Sequence, residues 1–79
     1  MKVIFFAQSR EAAGCSEGAI DLAGAVTQAE FWTLLIAKYS GLSAQRKTAR
    51  LARRETYLQE DELIRPSDEI AVIPPVSGG

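Results

Sequence analysis

With 79 residues, 47% of them hydrophobic, and a formal net charge of −1, the chain fits one small globular domain. One cysteine and no histidine exclude an internal disulfide framework, an ordinary zinc site and any histidine-based nucleophile system built from this chain alone. No apolar run spans a bilayer, no glycine-rich phosphate loop has the required spacing, and the N-terminus does not read as a signal peptide, so a cytoplasmic location without membrane contact is expected.

Lys2 to Gln8 reads as the first strand, with Val3, Phe5 and Ala7 on one face and Ile4, Phe6 and Gln8 on the other. Both faces are apolar, so one packs on the core while the other is covered by protein or left as a sticky patch. Ser9 to Gly14 reads as a loop or short helical turn, and Glu17 to Leu22 as a second strand able to form a hairpin with the first. Thr27-Gln28-Ala29-Glu30 is a capping box that starts a helix from about Gln28 to Tyr39, with Gly41 as its stop. Phe31, Leu34 and Leu35 form its apolar stripe, with Trp32, Ile36 and Tyr39 beside it, and so broad a face calls for a sheet beneath.

Ser43 to Lys47 suggests a helical turn, Ala49 to Arg54 leads into a third strand, and Thr56 to Gln59 forms a short extended piece. Arg46, Lys47, Arg50, Arg53 and Arg54 make a basic cluster, read as a solvated face and protective edge rather than a nucleic-acid site, because the chain is slightly acidic and no stacking platform adjoins it. Arg65-Pro66-Ser67-Asp68 is a turn with proline at its second position. The final strand, Glu69 to Ile73, directs Ile70 and Val72 to the core and Ala71 and Ile73 to the other face. Cys15, in a loop without a neighbouring base, reads as an ordinary small residue.

After that strand come Pro74-Pro75-Val76-Ser77-Gly78-Gly79. The prolines favour an extended exit from the domain, and Val76 to Gly79 reach roughly 13 Å when fully extended. Two glycines without Cβ atoms suit a narrow channel, and the chain ends in a carboxylate that an ATP-dependent partner can activate as an acyl-adenylate. Pro-Pro-Val-Ser-Gly-Gly, and the series Phe5 to Gly14 with its Arg10-Glu11 turn, resemble the small subunit of molybdopterin synthase, the MoaD-type sulfur carriers of the MoaD/ThiS ubiquitin-like family. The similarity runs over essentially the full chain. Two departures stand out: Arg54 where the family usually has asparagine, and Ser67 where it usually has glycine.

The pattern of elements supports an α+β domain with one main helix on a mixed sheet; the resemblance implies the β-grasp topology, with a domain over 1–75 and a flexible tail over 76–79. It also implies that Gly79 is adenylated at the expense of ATP, converted to a thiocarboxylate, and inserted with Pro75, Val76, Ser77 and Gly78 into the large (MoaE-type) synthase subunit. There the sulfur passes to cyclic pyranopterin monophosphate. The expected partners are that subunit, in a heterotetramer, an adenylating enzyme of the MoeB type and a sulfur donor protein. Phe6, Tyr57 and Ile73 match family residues at the partner interface. No side chain of this chain needs to act as acid or base, no bound cofactor or metal is expected, and catalysis by the chain alone is not implied. A thiamine-type or other biosynthetic sulfur carrier, a ubiquitin-like modifier conjugated through Gly79, and a binding module with an inert tail stay open as alternatives.

Overall fold

The computed structural model describes residues 1–75. β1 (Lys2–Phe5) and β5 (Ile70–Ile73) lie side by side and parallel at the centre of a five-stranded sheet. β2 (Glu17–Ala19) flanks β1 antiparallel, while β3 (Arg50–Arg53) and β4 (Thr56–Tyr57) extend the other side antiparallel, giving the order β2-β1-β5-β3-β4. A parallel pair needs a crossover between its strands, and the intervening chain supplies it with helix α2 (Gln28–Lys38). This is the mixed sheet with one main helix expected of a β-grasp domain.

Alternation decides what each strand buries. Val3 and Phe5 of β1, Ile70 and Val72 of β5 and Leu51 of β3 are buried, and they share one core with Phe31, Trp32 and Leu35 of α2 and with Leu42, Leu58 and Ile64. Each large side chain so buried contributes about 1.5–3 kcal/mol. Leu34 faces outward, contrary to the expected stripe, because the helix buries Phe31, Trp32 and Leu35, a face that includes Trp32 and so turns away from Leu34. The capping box forms as expected: the Glu30 amide donates to the Thr27 hydroxyl at 3.1 Å and the Thr27 amide to the Glu30 carboxylate at 2.9 Å. Hydrogen bonding from the Thr27 amide first, and from the Thr27 hydroxyl second, holds the Glu30 carboxyl below its ordinary value.

Three stretches differ from expectation. β1 stops at Phe5 instead of running to Gln8, because Ala7 takes φ 47° and opens helix α1 (Ala7–Ala13). Ala7 and Gln8 are therefore exposed helical residues, and Ser9 is buried, donating its hydroxyl to Gln45. The turn expected at 43–47 is a 3₁₀ helix over Ser40–Gln45, packed against α1. Gly41 does not end α2 through a left-handed backbone; a Cβ there would run into the carbonyl oxygen of Ala12, so glycine is required for close approach of the 3₁₀ segment to α1. β2 is also shorter than expected, ending at Ala19.

Candidate functional site

Among the described residues no helix covers the sheet's second face. Across it runs one row of directly opposed residues: Ile4 beside Ala71, Ala71 beside Ala52, and Ala52 beside Tyr57, contributed by β1, β5, β3 and β4 in turn. Ile73, the next outward residue of β5, pairs with Arg50, and the Phe6 amide donates to the Val72 carbonyl at 3.2 Å, which holds Phe6 beside the end of that strand. The two alanines leave the middle of this face low while larger side chains stand around them. The result is an open concavity of about 610 Å³ with Ile4, Phe6, Ala52, Ala71 and Ile73 among its walls and floor.

The opposite wall is polar, formed by Arg54 and Glu55 of the β3–β4 turn and by Ser67 and Glu69 of the turn before β5. Arg53 braces the two: its guanidinium donates to Asp68 at 2.8 Å, to Glu62 at 2.8 Å and to the Leu63 carbonyl at 3.1 Å. Burial works against ionising Asp68, but the Arg65 amide and the Arg53 guanidinium, together with the charge of Arg65, outweigh it, and the carboxyl lies below its ordinary value. In the 65–68 turn the Asp68 amide returns to the Arg65 carbonyl at 2.9 Å, and Ser67 does not need the positive φ for which glycine would be required. Serine is therefore accommodated at this position without backbone strain.

Of the expected interface residues, Phe6 (45% exposed) and Ile73 line the concavity, while Tyr57 (39% exposed) stands on the same face beyond Ala52, with the Arg50 guanidinium 4.0 Å from its ring centroid. The structure thus brings all three to one face. Pro75 is exposed at the end of the described residues, just past the apolar wall; Val76, Ser77, Gly78 and Gly79 lie outside the described residues. The basic cluster does not act as a unit, since Arg53 is committed to two carboxylates, Arg50 to Tyr57 and Arg46 to the Ala29 carbonyl. Reading the sequence picked out the large residues of the face but missed Ala52 as its floor; the alternation that sends Leu51 inward was the signal available for it. Among the described residues no helix is long and apolar enough to cross a membrane.

Residues 3–79 match the ThiS family. The chain belongs to that family. Among curated relatives of this ThiS-family chain, the molybdopterin synthase sulfur carrier subunit of Drosophila yakuba is 41% identical, over 98% of this chain and 88% of the relative. Proteins of the same name from Chlamydomonas reinhardtii and Homo sapiens are 36% and 34% identical, each over 100% of this chain, and over 98% and 93% of their own lengths. Among solved structures, small archaeal modifier protein 1 of Haloferax volcanii superposes with a TM-score of 0.83 at 26% identity, covering 100% of this chain and 98% of its own. The same-named protein of Methanosarcina acetivorans gives 0.72 at 27%, over 99% and 94%. The β-grasp assignment thus holds in both sequence and shape.

Proposed function

We propose that this chain is the sulfur carrier of molybdenum cofactor biosynthesis and acts as the small subunit of molybdopterin synthase. The observation that carries the reading is the full-length similarity to proteins named molybdopterin synthase sulfur carrier subunit, at 32–41% identity, in a chain that keeps Pro74-Pro75-Val76-Ser77-Gly78-Gly79. In this reading the Gly79 carboxylate attacks ATP in an activating enzyme, releasing pyrophosphate and forming an acyl-adenylate. Sulfide delivered by the sulfur donor then displaces AMP and leaves a thiocarboxylate. The large subunit receives the tail and moves the sulfur to cyclic pyranopterin monophosphate, and water restores the carboxylate.

The concavity supports this reading because ordering Val76 to Gly79 in a channel costs roughly 4–8 kcal/mol of backbone entropy, which docking of the body must offset. An apolar patch of Ile4, Phe6, Ile73 and Tyr57 next to the chain exit is suited to that. The test is intact mass after incubation with an activating enzyme, ATP and a sulfur source. A gain corresponding to one oxygen replaced by sulfur, absent when Gly79 is deleted, is expected; no gain, with a control carrier modified in parallel, would overturn the reading.

A second reading, conjugation of Gly79 to lysines as a protein modifier, draws on the likeness in shape to the small archaeal modifier proteins. Lysine-linked adducts in cells expressing the tagged chain would distinguish it from a carrier that releases only sulfur.

A further inference from the structure

We infer that Arg54 and Glu55 determine which partner the carrier accepts: the β3–β4 turn holds them as a charged wall of the concavity, opposite a large-subunit surface that carries an apolar side chain for the Ala52–Ala71 floor, a carboxylate for Arg54 and a cation for Glu55. This rests on the sulfur-carrier reading above and specifies its docking chemistry.

Backbone strain is the first observation. Arg54 and Glu55 have φ of 53° and 64°, so both central residues of this two-residue hairpin loop lie in the left-handed region, where Asn-Gly is the relaxed choice. A Cβ-bearing arginine and glutamate are disfavoured there. Among the described residues the other non-glycine with positive φ is Ala7, which directly follows Phe6 on the apolar wall. Among the described residues, non-glycine backbone strain therefore lies at the borders of one concavity, the distribution expected where backbone geometry serves a site.

Charge is the second. Around the same face Arg53 is matched by Glu62 and Asp68 and Lys2 by Glu17 and Glu69, while Arg50 lies over the Tyr57 ring. Neither the Arg54 nor the Glu55 side chain makes an ion pair or hydrogen bond among the described residues, although both line the concavity. The Gly79 carboxyl is four residues beyond Pro75, at most roughly 13 Å of extended chain, so a large subunit that takes up that carboxyl comes within reach of this face. Unmatched charges at the edge of such a contact set partner choice and association rate.

The test compares wild type with the double variant R54N/E55G, and with R54Q and E55Q, by thermal unfolding and by calorimetric titration with the large synthase subunit at low and high salt. The double variant is expected to melt higher than wild type yet bind about three- to tenfold more weakly, with a flatter salt dependence. The glutamine variants, which retain the backbone demand, are expected to weaken binding similarly without the gain in melting temperature. A higher melting point with unchanged affinity and salt dependence would overturn the inference and leave the turn a purely structural choice. So would an effect on self-association in place of large-subunit binding. Failure of the wild type itself to bind would count against the sulfur-carrier reading, which the variants alone do not address.

Discussion

Ala71 of β5 lies directly opposite Ala52 of β3, and this pair of methyl groups sets the depth of the concavity on the open face of the sheet. Larger residues at either position would flatten it. Ala71→Leu is expected to fold normally, since its side chain points away from the core, but to lose binding to the large subunit by about tenfold or more, as overpacking a fitted contact costs about 1–3 kcal/mol. Titration of the folded variant, with circular dichroism as the control, checks this.

Arg53 and Asp68 give the domain a predictable response to acid. Asp68 has its carboxyl held below the ordinary value of 3.8 in the folded state. Its contribution to stability is therefore fully present above the unfolded-state value and is lost as pH falls through the lower, folded-state value. Asp68→Asn is expected to cost about 1–2 kcal/mol at neutral pH, since the pair is only partly shielded from solvent. Urea unfolding from pH 6 to about 2 should show a shallower loss of stability at the acid end for this variant than for wild type.

Two glycines are expected to resist substitution to different degrees. A Cβ on Gly41 meets the backbone carbonyl of Ala12, which cannot move without shifting α1, whereas a Cβ on Gly18 meets the hydroxyl end of Tyr39, a side chain able to turn aside. Gly41→Ala should cost about 2–3 kcal/mol and Gly18→Ala about 1 kcal/mol. Part of the latter is loss of the edge-on contact between Tyr39 and Phe5, whose rings lie 5.1 Å apart. Chemical denaturation of both variants tests the order as well as the size.

Thr27→Ala removes the acceptor for the Glu30 amide at the start of α2 and should cost about 1 kcal/mol, with Thr27→Ser restoring most of it. Thermal unfolding of the pair separates the hydroxyl from the methyl group.

The sequence by itself determined the features whose causes are local. The Thr27–Glu30 box starts a helix through contacts three residues apart, and strict alternation divides Ile70 and Val72 from Ala71 and Ile73. Tertiary structure decided what depends on distant partners. Ala7 ends β1 although nothing in its propensity demands it, and Gly41 is needed because of Ala12, which the chain reaches only after 28 intervening residues. Arg53, one of five basic residues in a local cluster, leaves that cluster to bind Glu62 and Asp68. The row Ile4–Ala71–Ala52–Tyr57 assembles one surface from four strands, and its register comes from the ladders between them. Periodicity indicates which way a side chain faces, but only strand pairing decides which residues become neighbours, and a docking surface is made of neighbours.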